Sequence, residues 1–143
     1  MEKLLEVKDL KVSFFTDLGE TQAVKGAGFA IGEGDFFGIV GESGSGKSVT
    51  ALSVMGLLMG TTGKVVEGQI LLDGRDITNL SAEERRKIRG NQISMIFQEP
   101  MTSLNPVFRI GEQVEEVIEL HDGEGKSKEE IKARTIELLE MMG

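Results

Sequence analysis

The stretch Gly41-Glu42-Ser43-Gly44-Ser45-Gly46-Lys47-Ser48 determines how the rest of this 143-residue sequence is interpreted. It fits the pattern G-x-x-x-x-G-K-[ST], in which a glycine-rich loop joins a strand to a helix and wraps phosphate groups. The pattern is informative only in that setting, and the flanking residues supply it. A compact apolar run at residues 36–40 precedes the loop, and an apolar segment at residues 48–59 follows it. The sequence therefore predicts a strand, a phosphate-binding loop and a buried helix over residues 36–60.

Each residue type in this loop has a physical role toward a triphosphate. Three glycines allow positive φ and leave room for the backbone to approach phosphate oxygens: Gly41, Gly44 and Gly46. The loop amides can then converge on those oxygens, and the helix that follows adds a partial positive charge at its N-terminus. Lys47 supplies a full charge for the β- and γ-phosphates, and Ser48 offers a hydroxyl to Mg²⁺. The alternative to a phosphate-binding loop is a flexible linker that contains a lysine by chance. The strand and helix patterns on either side argue against it.

Composition and charge exclude several other classes of site. The chain has no cysteine and one histidine, which rules out disulfides, thiolate zinc sites, cysteine nucleophiles and zinc sites built on several histidines. The net charge is −8, and no broad basic surface is visible, so nucleic acid is not an expected partner. The nearest basic cluster is Arg85, Arg86, Lys87 and Arg89. A solvated helix face explains this cluster more simply than an RNA or membrane contact.

The first half of the sequence predicts mainly strands. Leu10, Val12 and Phe14 share one strand face by alternation, and residues 23–31 form a second strand. Asp73-Gly74 after an apolar run is a hairpin signal. Residues 36–40 are typical of a strand buried on both faces, as in a parallel sheet, and residues 92–97 are expected to form a further strand.

The second half predicts mainly helices. Ser81 with Glu84 and Ser127 with Glu130 form capping boxes, so helices are expected to begin at both serines. A helical period starts at Ile110 and is broken at residues 122–125. The expected organisation is a β-rich first part, the strand–loop–helix unit, and a helical tail.

Three stretches carry a resemblance to the ATPase subunits of ABC transporters. The loop itself resembles their GESGSGKS form, and residues 10–14 resemble the strand that carries their adenine-stacking aromatic residue. The third stretch resembles their Q-loop, in the version typical of oligopeptide, dipeptide and nickel importers: Ile96-Phe97-Gln98-Glu99-Pro100-Met101-Thr102-Ser103-Leu104-Asn105-Pro106. The resemblance runs across the whole chain.

The resemblance implies an α/β fold, that of a P-loop NTPase of ABC type. An antiparallel β subdomain would come first, followed by part of a parallel core sheet and the start of a helical subdomain. Residues 1–143 would be the N-terminal part of one nucleotide-binding domain. Its expected segments are the beginning of the β subdomain (1–35), the strand–loop–helix unit (36–60), a β/α segment that leads to the Q-loop (61–98) and the start of the helical subdomain (99–143).

The resemblance also implies site residues for ATP and Mg²⁺. The nucleotide would be held by Phe14, Gly41, Glu42, Ser43, Gly44, Ser45, Gly46, Lys47, Ser48 and Val49. Lys47 and Gln98 would be catalytic, and Ser48 and Gln98 would contact Mg²⁺. Phe14 is equally well explained as a core aromatic beside Leu10 and Val12, with Phe15 as the fallback for stacking. His121 is expected to be a surface or capping residue, since the family's catalytic histidine lies further downstream.

As a function, the resemblance implies the energy-coupling subunit of an importer for oligopeptides or dipeptides. The expected partners are transmembrane permease subunits and a second ATPase subunit, on the cytoplasmic, inner face of the cell membrane. The LSGGQ signature, the Walker B acid pair and the switch histidine are absent from the sequence. We therefore expect ATP hydrolysis from the parent protein, and binding without appreciable turnover from this chain alone. The alternatives are a non-catalytic nucleotide-binding or interaction module and a stand-alone kinase or GTPase, whose lid arginines or N-K-x-D motif are not found.

Overall fold

The computed structural model describes residues 3–99 and 103–143. It divides into two compact units, one ending at Arg85 and one beginning at Arg86. The strands are β1 (Lys3–Thr16), β2 (Gly19–Gly32), β3 (Gly63–Leu72) and β4 (Arg75–Asp76), and the helices are α1 (Lys47–Val54), α2 (Ala82–Ile88), α3 (Ile110–Asp122) and α4 (Lys128–Met142). No helix among the described residues is both long and apolar enough to cross a lipid bilayer.

The core of the first unit is an antiparallel sheet with the strand order β2-β1-β3-β4. Leu10 and Val12 on β1 are fully buried, as their alternation predicts, and Val7 is buried with them. The spacing from Val7 to Leu10 breaks the two-residue period, because the register shifts between them and Asp9 adopts a φ of 44°. This bulge returns the apolar face of β1 to the core.

The turn between β3 and β4 is the hairpin that the Asp-Gly pair predicts. Asp73 and Gly74 have φ values of 48° and 73°. Positive φ at both central residues is the type I′ requirement, whose twist matches that of the flanking strands.

The structure contradicts two of the predicted strands. Neither residues 36–40 nor residues 92–97 form a strand, although Ile93 makes one isolated bridge to Arg89. Val40 is 93% exposed and Ile96 is 95% exposed. A strand of this kind is stable only between neighbouring strands, and none pairs with either run within residues 3–99 and 103–143. Both runs are apolar, as a buried strand requires, but the described residues supply no neighbouring strand to pair with them.

Helix α1 is shorter than predicted. It ends at Val54 rather than Met59, and a turn that contains Gly56 at a φ of 64° follows. The buried side chain of Arg85 fills the space beside Gly56, because a Cβ there would lie 1.7 Å from Arg85 Nη1. The guanidinium is held by the carbonyl oxygens of Thr78, at 2.6 Å, and Leu80, at 3.3 Å. Arg85, which is distant in sequence, therefore packs where α1 ends. The periodicity of the sequence cannot reveal such a contact.

Both predicted capping boxes are confirmed. Glu130 N donates to Ser127 Oγ at 3.3 Å, and Ser127 N donates to Glu130 Oε2 at 2.7 Å. The bond from the Ser127 amide, with help from its hydroxyl, lowers the pKa of the Glu130 carboxyl. Ser81 and Glu84 make the same pair of bonds at the start of α2. These local signals fix where two helices begin.

We expect Gly68→Ala to destabilise the first unit more than Gly26→Ala. Both glycines have positive φ, but a Cβ at Gly68 would lie 2.5 Å from the Lys8 carbonyl oxygen, whereas a Cβ at Gly26 meets nothing within 4 Å. Backbone strain alone predicts a loss of about 1 kcal/mol at Gly26. The added clash predicts about 2–3 kcal/mol at Gly68. Urea unfolding of the two variants measures the difference, and equal losses would contradict the packing at Gly68.

Candidate functional site: a phosphate-binding loop

The candidate site is an exposed loop that leads into α1, which packs against β1 and β2. Gly44 and Gly46 adopt φ values of 79° and 91°, which glycine adopts without strain. Gly46 is also the contact between the loop and the sheet. A Cβ there would lie 2.6 Å from the Ala23 carbonyl oxygen and 3.3 Å from Val24 Cγ2. The absence of a side chain at Gly46 therefore lets the loop sit directly on β2.

The ammonium group of Lys47 holds the loop closed. Its Nζ donates to the carbonyl oxygens of Gly41 and Glu42, both at 2.6 Å, and to Ser45 Oγ at 3.3 Å. An ammonium group has three donor hydrogens, so these bonds occupy all of them. The carbonyl and hydroxyl acceptors are neutral, and a phosphate oxygen is a stronger acceptor for a charged donor. Lys47 can therefore exchange loop acceptors for phosphate oxygens at a small cost.

The N-terminus of α1 presents backbone donors to the same space. Its first intrahelical bond runs from Thr50 N to the Gly46 carbonyl oxygen at 2.8 Å, so the amides of Lys47, Ser48 and Val49 have no acceptor within the helix. The cap residue, Gly46, supplies no side-chain acceptor, and the first turn carries no acidic residue. Thr50 Oγ1 donates to the Gly46 carbonyl oxygen at 2.9 Å and holds it toward the helix. The result is an uncapped, positively polarised helix end beside an ammonium group.

Ser48 lies in the first turn of α1 with an exposed side chain. Its hydroxyl suits Mg²⁺, which prefers oxygen ligands and is commonly held by one or two protein groups together with phosphate oxygens. Among residues 3–99 and 103–143, no group of three or more histidines and carboxylates could hold a metal ion alone.

Phe14 is partly buried against the third strand. A Cβ at Gly63 would lie 2.8 Å from Phe14 Cε1, so the ring rests on the glycine backbone. Phe15 is more exposed, and Lys64 Nζ lies 5.8 Å from the centroid of its ring. This packing suits a core aromatic and does not exclude a free ring edge, so the predicted adenine contact of Phe14 stays a prediction.

Gln98 belongs to the second unit. Its side chain is exposed and lines a cavity of about 610 Å³ with Met95, Phe97, Glu99 and Ser103. Pro100, Met101 and Thr102, which complete the quoted Q-loop motif, lie outside the described residues. The predicted role of Gln98 toward Mg²⁺ or water stays a prediction.

The sequence could not reveal two features that shape the loop. Ala23 acts through its backbone carbonyl, so its residue type carries no signal. The hydrogen bonds from Lys47 to its own loop likewise depend on carbonyl groups that every residue has.

His121 lies in the last turn of α3, as expected, and its Nε2 would be 2.8 Å from a Cβ at Gly90.

Comparison with known proteins decides the family. The family model described as ABC transporter matches residues 24–143. The chain belongs to the ABC transporter family. This ABC-family chain is 50% identical over 143 residues to the oligopeptide transport ATP-binding protein AppD of Bacillus subtilis (strain 168), covering 100% of this chain and 43% of AppD. It is 47% identical over 142 residues to the dipeptide transport ATP-binding protein DppD of Lactococcus lactis subsp. cremoris (strain MG1363), covering 99% of this chain and 40% of DppD.

Solved structures confirm the predicted fold class. The dimeric, post-hydrolysis structure of the ATP-binding cassette MJ0796 bound to ADP and Pi has a TM-score of 0.78 and 31% identity, covering 96% of this chain and 56% of that chain. A nucleotide-free cassette at 22% identity and a TM-score of 0.53 supports the fold alone. The ABC-family chain thus spans about two fifths of the transport proteins and about half of the solved cassettes that it resembles.

We expect Gly46→Ala to weaken ATP–Mg²⁺ binding at least about tenfold more than Gly44→Ala. Both variants place alanine at positive φ, but only the first drives a side chain into the Ala23 carbonyl and lifts the loop from β2. Isothermal titration measures both affinities. Equal affinities in two folded variants would show that the contact with β2 does not shape the site.

Proposed function

We propose that this chain binds ATP–Mg²⁺ at residues 41–49 and that it is the nucleotide-binding part of an energy-coupling subunit of an oligopeptide or dipeptide importer. One observation carries the proposal: the Lys47 ammonium group and the uncapped end of α1 belong to the same exposed loop. The amides at the start of α1 have no acceptor within the helix, so binding a triphosphate requires only that the Lys47 ammonium group exchange its loop acceptors for phosphate oxygens.

The triphosphate is the part of ATP that these residues fit best. Lys47 would leave the carbonyl oxygens of Gly41 and Glu42 and bond the β- and γ-phosphates. The amides of Gly44, Gly46 and the first turn of α1 would surround the remaining oxygens. Glu42, Ser43 and Ser45 complete the loop, and Ser48 would supply a hydroxyl to Mg²⁺.

Two further residues are proposed for steps beyond phosphate binding. Phe14 would stack on adenine, and its partial exposure leaves ring surface for that contact. Gln98 would contact Mg²⁺ or orient the attacking water, for which an exposed amide at the end of an apolar run is suitable. Both roles rest on the motif resemblance and on side-chain chemistry.

The activity of the whole protein is proposed from its relatives. Their names state oligopeptide and dipeptide transport and ATP binding, at 47–50% identity over nearly all of this chain. By this analogy the whole protein would hydrolyse ATP, act with transmembrane permease subunits and a second ATPase subunit, and lie on the cytoplasmic face of the membrane. The dimeric form of the MJ0796 cassette supports the second subunit. The division into segments 1–35, 36–60, 61–98 and 99–143 belongs to the same proposal.

Lys47→Ala tests the proposed phosphate contact. We expect it to weaken ATP–Mg²⁺ binding about 100-fold or more, because a charge-assisted bond to phosphate is lost. Lys8→Ala is the matched control: it removes the same charge from an exposed residue of the first unit. Isothermal titration of both variants is the measurement. Unchanged affinity in folded Lys47→Ala would remove the lysine from the site and overturn the proposal.

Phe14→Ala and Phe15→Ala separate the two predicted roles of Phe14. If Phe14 stacks on adenine, Phe14→Ala weakens binding of ATP–Mg²⁺ about tenfold and leaves binding of tripolyphosphate unchanged, because only ATP carries a base. Phe15→Ala should leave both affinities unchanged. Equal affinity for ATP before and after Phe14→Ala, together with lower stability toward urea, would assign Phe14 to the core.

A further inference from the structure

The second unit contains a basic cavity that the proposed nucleotide site does not use. It has a volume of about 410 Å³ and is lined by Arg86, Lys87, Arg89, Gly90, Leu120 and His121. Four of these six residues carry nitrogen donors, and none carries a carboxylate. In a chain with a net charge of −8, such a concentration of cations marks a place with a specific electrostatic preference.

The geometry of the chain brings these residues together from two separate segments. After α2, the amides of Asn91 and Gln92 donate to the Ile88 carbonyl oxygen at 3.3 and 2.8 Å, and Gly90 N donates to the Ile93 carbonyl oxygen at 2.9 Å. Gly90 has a φ of 78° in this turn. His121, in the last turn of α3, packs directly on it. The imidazole and the basic residues of α2 and its turn therefore face one space.

The donor that most needs a partner is on Arg89. Its Nε is buried and forms no hydrogen bond within the described residues. A buried, unpaired donor on a charged group is costly, and the side chain that carries it lines this cavity. The adjacent carboxylate does not serve, because Asp122 is paired with Lys126.

We propose that Arg86, Arg89 and His121 form a binding site for a phosphate-bearing anion. Guanidinium groups bind phosphate in a bidentate manner, and the imidazole adds a further nitrogen. The cavity has an apolar wall at Leu120, which suits a phosphate ester better than free phosphate. A soluble phosphate ester and an anionic lipid headgroup share this chemistry. The proposal is independent of ATP binding, since every residue named belongs to the second unit.

The single histidine makes the site directly observable. The imidazole resonances of the ¹⁵N-labelled, 143-residue chain are followed by nuclear magnetic resonance. Glycerol 3-phosphate is titrated in one arm, and vesicles of phosphatidylglycerol or of phosphatidylcholine are added in the other. A saturable shift or broadening of the His121 signals by glycerol phosphate, or by the anionic vesicles alone, is expected and identifies the source of the phosphate.

Variants distinguish a site from general charge attraction. Arg89→Ala and Arg86→Ala should each weaken the response at least about tenfold, as expected for loss of a charge-assisted bond. Arg109→Ala is the matched control, because it removes the same charge at the start of α3, about 18 Å from His121 by helical rise. Arg86 is exposed, so its variant stays informative if Arg89→Ala fails to fold.

Three results would overturn the proposal. The first is no His121 response to either phosphate source. The second is an equal response to sodium chloride at matched ionic strength, which would indicate screening alone. The third is an equal loss in Arg109→Ala and in the two site variants, which would indicate general charge attraction and not a binding site.

Discussion

The close approach of Gly46 to β2 is the constraint on which the loop at residues 41–48 depends. With 2.6 Å between the Ala23 carbonyl oxygen and the place of a Cβ, the backbone is seated on the sheet at one point. From that point the chain enters α1, and the Gly46 carbonyl accepts bonds from both the amide and the hydroxyl of Thr50. Gly46 therefore fixes the position of the loop and of α1 relative to the sheet. The orientation of the amides at the start of α1 follows from this contact.

Lys47 gives the loop its shape. Three hydrogen bonds to neutral acceptors satisfy the donors of the ammonium group, which avoids the cost of an unpaired charge. Because the same carbonyl groups can return to water when a phosphate takes their place, the exchange keeps every polar group paired. The loop is thus folded and still able to accept a phosphate group, and both properties come from the side chain of Lys47.

The sequence predicted the features that depend on neighbouring residues. The two capping boxes, the Asp73-Gly74 hairpin and the glycine–lysine loop are local, and the structure has all of them. It failed where the outcome depends on distant partners. Residues 36–40 have the composition of a buried strand, but no strand lies beside them in the described part of the chain. The end of α1 lies where Arg85 fills the space next to Gly56. In the site, residue types were predictable, whereas the roles of the Ala23 and Gly41 carbonyl groups were not, because backbone groups carry no residue signature.

Net charge is a poor guide to what this chain attracts. At physiological ionic strength the Debye length is about 8 Å, so most of the surface carboxylates have little influence on a given loop. What matters is the set of charges within hydrogen-bonding reach, and the first turn of α1 has no acidic residue to oppose Lys47. An overall charge of −8 is therefore compatible with strong local attraction for phosphate.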